Sequence, residues 1–158
     1  MMKAASDLTF QEAKVKLEAY CAYQDRCTFE IEKKMQTWGL DENDRSALLL
    51  YLRENRFLSD ERFAESFVSG KVNIKRWGRN KIIAELRGRR ISEQIIRKAL
   101  EELSDEVYFS NLRHLIEFKS EALRKETDSF KRKVKLYRFL QSKGYTMEEI
   151  NDVYSTGE

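Results

Sequence analysis

Proline is absent from this sequence, and glycine occurs only six times in 158 residues. Those two residues are the chief interrupters of regular structure, so their scarcity argues against a turn-dense, many-stranded fold and for a chain that is nearly all helix. Cysteine occurs twice and histidine once. Cys21 and Cys27 lie six positions apart with no further Cys/His group beside them, so neither a zinc site nor a structural disulfide is expected. The pair reads as reduced thiols of an intracellular protein. No apolar run approaches the ~20 residues that cross a bilayer, and the amino-terminal stretch has no secretory apolar core. A cytoplasmic protein with no membrane contact is the expectation. The metalloprotease helix, the phosphate-binding loop, the nucleophile elbow and the dinucleotide fingerprint are all missing. His114 falls among Leu112, Leu115 and Ile116 and is expected at a surface or half-buried. The carboxylate pairs Asp41-Glu42, Asp60-Glu61 and Glu148-Glu149 stand at helix starts, where the helix dipole favours them. Catalysis, a metal and a cofactor are therefore not expected.

What the sequence does have is charge, at 36% of residues, with a net of only +3. The distribution is uneven. The first seventy residues carry ten Lys and Arg against thirteen carboxylates, whereas Lys71 to Lys98 carries ten against two and Lys119 to Lys143 nine against three. A chain that is acidic at its start and basic through its middle and later parts suits nucleic acid or an acidic protein surface equally well.

Apolar residues recur at helical spacing throughout. Around the centre, Phe63, Ala64, Phe67, Val68, Val72 and Ile74 follow the start signal Ser59-Asp60-Glu61. A second helix opens near Gly78 with Ile82, Ile83 and Leu86, and a third at Ser92 with Ile95, Ile96, Ala99, Leu100 and Leu103. Similar trios flank this one. Thr9 with Glu12 and Thr146 with Glu149 have capping-box spacing. Thr28 is expected to start a helix that Gly39 ends, Asp41 to start the next, Thr127 or Asp128 another, and Gly144 to end it. The run Leu48 to Leu52 reads as buried on more than one side, and the ends, Met1 to Leu8 and Ser155 to Glu158, as loose.

Aligning Leu40, Ile91 and Tyr145, at offsets of 51 and 54 residues, exposes a repeat. Five residues earlier stand Met35, Leu86 and Leu140, nine earlier Ile31, Ile82 and Leu136, one later the N-caps Asp41, Ser92 and Thr146, and nine later Leu49, Leu100 and Tyr154. The expectation is an all-α, elongated tandem array of about nine helices in three three-helix units, at residues 9–57, 58–103 and 104–155. A unit this small is marginal alone and must pack on its neighbours. The array is expected to be a monomer.

The basic residues are the functional candidates. Lys75, Arg76, Arg79, Lys81, Arg87, Arg89 and Arg90 crowd two turns of the central unit beside Trp77, with few acidic residues near in sequence. Lys131, Arg132, Lys133, Lys135 and Arg138 form a second cluster, which reads equally well as a solvated helix face. Trp77 itself reads as core before it reads as a stacking platform. Arginine suits phosphate and carboxylate alike, through bidentate contacts.

The densest stretch, Leu58-Ser59-Asp60-Glu61-Arg62-Phe63-Ala64-Glu65-Ser66-Phe67-Val68, resembles the head of the second unit in the RecX family, modulators of the RecA recombinase. The resemblance continues through Trp77-Gly78, Ile82, Glu85-Leu86 and Ile91 to Leu103. It is looser in the first unit, where Arg26-Cys27 stands for the usual Arg-Ser and Glu30-Ile31 and Lys34-Met35 follow the family's pairs, and is mainly a hydrophobic pattern in the third. The Cys27 departure removes a favoured cap, a role Thr28 is expected to take. The resemblance implies a non-enzymatic binding protein that lodges along the RecA–DNA filament. There it usually limits filament growth, strand exchange, ATP hydrolysis and co-protease activity, and so acts on DNA repair, recombination and the SOS response. Two other readings stand beside it. One is a plain binder of single- or double-stranded DNA, although no third helix combines Arg, Asn and Gln as base readout prefers. The other is a helical scaffold for a different partner.

Overall fold

The computed structural model describes residues 8–156, and within them every regular element is an α-helix. In chain order these are α1 (Phe10–Tyr23), α2 (Thr28–Thr37), α3 (Glu42–Glu54), α4 (Asp60–Asn73), α5 (Arg79–Gly88), α6 (Glu93–Glu101), α7 (Asp105–Ala122), α8 (Ser129–Ser142) and α9 (Met147–Thr156). Every strong pairing of helices lies within a consecutive trio: α1–α3, α4–α6 or α7–α9. Each trio closes mainly on its own cluster of buried side chains, but Cys27 and Phe29 at the start of α2 pack into the second cluster and Leu103 touches both the second and the third. Leu17, Ile31, Met35, Leu48 and Leu52 centre the first, Ala64, Val72, Ile82 and Leu86 the second, and Tyr108, Leu112, Leu140 and Ile150 the third. Most of Met1 to Leu8 lies outside the described residues. Of the tail, Ser155 and Thr156 are helical rather than loose, and the last two residues lie outside the description.

Most helix starts are set locally. Thr9, Asp41, Ser59, Ser92 and Ser104 each accept a hydrogen bond from the backbone N–H three residues on, and Asp128 accepts from both Phe130 and Lys131. These contacts satisfy donors that the first helical turn would otherwise leave bare. Helix ends carry the repeat into the backbone. The amides of Leu40, Ile91 and Tyr145 donate to the carbonyls of Met35, Leu86 and Leu140, the six-to-one bond of a Schellman turn. The residue before each is left-handed: Gly39 at φ 70°, Arg90 at 55° and Gly144 at 105°. The turn is therefore the same three times, although only two copies use glycine.

Three local expectations change. Ile74 is 74% exposed, because α4 ends at Asn73 and Ile74 caps it outside the core. Leu50 is 56% exposed, so the Leu48 to Leu52 run buries one face, through Leu48 and Leu52, and not several. Thr28 does not cap α2. Cys27 holds that position, with its amide donating to Glu30 Oε1 at 3.2 Å, while the amide and hydroxyl of Thr28 both donate to Asp60 of α4, at 2.7 and 3.1 Å. Burial pushes the Cys27 thiol up to about 12 and raises that of Cys21 too, so both are held as unreactive thiols.

Gly70 offers a simple test of the helix assignment. It lies inside α4 with open space where a Cβ would stand. Gly70→Ala is expected to raise stability by about 1 kcal/mol, since alanine loses less backbone entropy in a helix. A urea titration showing lower stability would mean that α4 is not a plain helix there.

Candidate functional site

The trios are joined by specific polar contacts, and these decide which cations remain free. Between the first and second, Asp25 in the α1–α2 loop accepts from Arg62 Nε at 2.7 Å and from the Ser66 hydroxyl at 2.6 Å. The hydroxyl bond above all, then the arginine, holds the Asp25 carboxyl below its usual value despite partial burial. A depressed carboxyl contributes its full stabilisation above the ordinary range near ~3.9 and loses it as pH falls through the lowered folded value. The urea midpoint of the native chain is thus expected to fall along an acid limb that Asp25→Asn flattens. Identical limbs in the two proteins would remove Asp25 from the joint.

Between the second and third trios the contact centres on two backbone-to-backbone hydrogen bonds. Gly78 caps α5 without a side chain, and its own N–H donates to the Lys143 carbonyl at 2.7 Å. The first free donors of α5 are also taken up from the third trio, Arg79 N–H by the Tyr108 hydroxyl and Asn80 N–H by the Gly144 carbonyl, both at 3.0 Å. Tyr145 donates back to the Arg76 carbonyl at 2.8 Å, and Asn111 to the Val72 carbonyl at 2.9 Å. Arg79 reaches Asp105 at 2.9 Å and Glu149 at 3.0 Å, with its guanidinium 3.9 Å from the Tyr108 ring centre. Burial, with Glu149 beside it, keeps the Tyr108 phenol protonated far above its ordinary range.

These contacts sort the candidate residues. Arg79 is part of the joint and is already doubly paired. Arg87 forms a two-pronged ion pair with Glu93 across the α5–α6 turn, and Arg89 pairs with Glu85 one turn back. The expectation of few acidic partners is therefore overturned for these three. Asp105 and Glu149 reach Arg79 only through the fold, and the tight turn brings Glu93 back to Arg87. In the second cluster, Lys135 pairs with Glu126, and Arg132 donates to the Glu126 carbonyl. Lys75, Arg76, Lys81, Arg90 and Lys131 form no ion pair among the described residues. Arg76 and Arg90, like Arg56, hold left-handed backbone at φ 55–62°, an arrangement disfavoured for arginine. His114 is exposed.

What the structure assembles is a belt of cations lying over aromatic rings. Lys71 and Lys81 sit 4.7 and 4.5 Å from the Trp77 ring centre. Trp77 meets Phe67 edge-on at 6.3 Å, and Lys71 and Arg89 also lie over Phe67. On one side a groove between α2 and α5 leads to Phe29, which carries Lys33 and Arg90. On the other side, Lys81 packs against Gly144, next to Lys143, which with Lys119 covers Phe139. Lys33, Lys71, Lys81, Lys119 and Lys143 have no ion-pair partner among the described residues. Trp77 is half-buried against the central core, and two lysines lie over its ring. The rings orient the ammonium groups and their stems cover apolar surface, leaving the charge available. Lys33, Lys71, Lys119 and Lys143 were not candidates from sequence. Yet Phe29–Lys33, Phe67–Lys71, Trp77–Lys81 and Phe139–Lys143 all share one spacing, an aromatic residue with lysine four positions on, and that is a legible signal.

Fold and surface define a class: an array of linked three-helix units that presents cations held over aromatic rings. Comparison with known proteins gives the class its family. Residues 59–100 match the model of the RecX second three-helix domain, and residues 106–154 that of the third. The regulatory protein RecX of Clostridium botulinum is 35% identical over 125 residues, which are 78% of this chain and 58% of that relative, so the chain spans well under two thirds of it. The regulatory protein RecX of Vibrio parahaemolyticus is 28% identical over 149 residues, covering 94% of this chain and 92% of the relative. The crystal structure of RecX from Lactobacillus salivarius superposes with a TM-score of 0.82 at 21% identity, over 93% of this chain and 95% of that one. The chain belongs to the RecX family. Among the described residues, no helix is long and apolar enough to cross a membrane, and no group of His, Cys, Asp and Glu could hold a metal ion.

Proposed function

We propose that this chain is a non-enzymatic, cytoplasmic regulator that binds along the RecA–DNA filament and restrains it, acting on recombination, repair and the SOS response. The observation that carries the reading is the cation–aromatic belt, which runs through all three trios. A surface with several unneutralised ammonium groups suits a long anionic partner better than a compact ligand. Held lysines also lose less side-chain entropy on binding than free ones. Filament surface carboxylates and DNA phosphates can both meet it. The reading takes each three-helix trio as one unit of the array and the chain as a monomer.

The test is co-sedimentation with the cognate RecA filament on single-stranded DNA at physiological salt, with naked DNA in parallel. Strong retention on the filament and little on DNA is the expected result. Equal retention on both, falling steeply as salt rises, would instead mark a plain nucleic-acid binder.

A further inference from the structure

The third trio carries a feature that the belt does not use. A hollow of about 420 Å³ lies between α8 and α9. Phe130, Val134, Tyr137 and Met147 supply its apolar lining, Lys133 and Arg138 line it as well, and among the described residues no carboxylate does. Phe130 is 74% exposed and Met147 49%, an unusual placement for large apolar side chains this close together.

The charge around the hollow is deliberate in a physical sense. Helix α8 holds Lys131, Arg132, Lys133, Lys135 and Arg138 and no acidic residue. Three of these cations fall in its first turns, where the helix dipole disfavours positive charge, and its last turn holds none. Arg132 and Lys135 are drawn back to Glu126, but neither Lys133 nor Arg138 forms an ion pair among the described residues. The hollow on the other side of Phe130 shares Lys133, but its two arginines are engaged, Arg124 with Glu121 and Arg132 with the Glu126 carbonyl, whereas Arg138 lines only the α8–α9 hollow. Cations without an ion pair, Lys133 lying over the Tyr137 ring at 5.5 Å, thus coincide with exposed apolar side chains at one place.

We propose that the α8–α9 hollow is a docking site for an acidic protein segment, which inserts one bulky apolar side chain beside Phe130 and sets carboxylates against Lys133 and Arg138. Complementary charge orients such a segment and the apolar anchor holds it. A nucleic-acid strand could stack a base on Phe130 but brings no aliphatic group to fill the hollow between Val134, Tyr137 and Met147, so a protein segment is the better fit. The site stands apart from the belt, and its success or failure is independent of the filament reading.

The experiment is selection of the full chain against a phage-displayed library of random peptides, followed by fluorescence anisotropy with one enriched peptide synthesised and labelled. Enriched sequences are expected to place Asp or Glu on both sides of a Leu, Phe or Trp. The peptide should lose on the order of ten-fold in affinity with Lys133→Glu/Arg138→Glu, and again with Phe130→Ala. Lys71→Glu/Lys81→Glu, which alters only the belt, should leave it unchanged. Circular dichroism checks that every variant keeps its helicity. Selection that returns no acid-flanked apolar motif overturns the proposal. So does a peptide indifferent to the groove variants, or one lost equally with the belt variant.

Discussion

Gly78→Ala is expected to destabilise the chain by about 3 kcal/mol, and to do so by parting the third trio from the second. A Cβ on Gly78 would lie 2.4 Å from both the carbonyl carbon and oxygen of Gly144, and 2.5 Å from the Tyr145 amide nitrogen. All three are backbone atoms, so no side chain can swing aside. Nor can Gly144 yield. A Cβ there would meet the Cβ of Lys81 at 2.6 Å, and its φ of 105° is one that glycine alone holds without strain. The joint also completes α5, whose leading amides donate to the third trio. In an array, stability is roughly a sum of unit and interface contributions, so losing one interface need not unfold the units. The melt of the variant is therefore expected to split into two transitions. In hydrogen exchange, the Arg79 and Asn80 amides should lose protection while that of Ile82, bonded to Gly78 within its own trio, keeps more of it. A single transition at the native midpoint, with those amides still protected, would mean that the two glycines do not meet in solution.

The same joint shows what the sequence can and cannot reveal. Caps such as Thr9, Asp41, Ser92 and Thr146 are legible because donor and acceptor sit three residues apart. The α2 and α5 starts were legible too, at Thr28 and Gly78, but not what satisfies them, since their outside acceptors, Asp60 and Gly144, belong to the following trio. The apolar repeat, by contrast, carries through to burial. Leu40, Ile91 and Tyr145 are all nearly inaccessible, as are Met35, Leu86 and Leu140. The basic surface was legible in outline and misread in detail. Counting cations placed the charge in the central trio, but Arg79's partners lie 26 and 70 residues away, beyond the reach of any local count. Reading arginine clusters also drew attention from single lysines, whose setting depends on a ring one helical turn back.

The functional effect with the clearest cause is expected from Lys71→Glu/Lys81→Glu. Both ammonium groups lie over Trp77 at the middle of the belt, and neither has a carboxylate to answer it. Each reversal replaces attraction by repulsion at an anionic partner, and together they should weaken retention on the RecA filament on the order of a hundred-fold, about 2.7 kcal/mol. Arg87→Glu/Arg90→Glu is also expected to abolish filament modulation while leaving helicity intact, but its cause is mixed. Arg87 gives up its pair with Glu93, whereas Arg90 takes away a belt cation over Phe29. Arg79→Glu would be less informative still, because it would set a carboxylate against Asp105 and Glu149 and open the joint. Lys71→Glu/Lys81→Glu breaks no ion pair and no hydrogen bond made by those side chains among the described residues, so its melt should stay close to the native one. Filament co-sedimentation beside a thermal melt separates the outcomes. Lost retention with an unchanged melt assigns the belt to the interface. Retention as strong as that of the native chain would move the interface elsewhere on the array, whatever the charge count of the central trio.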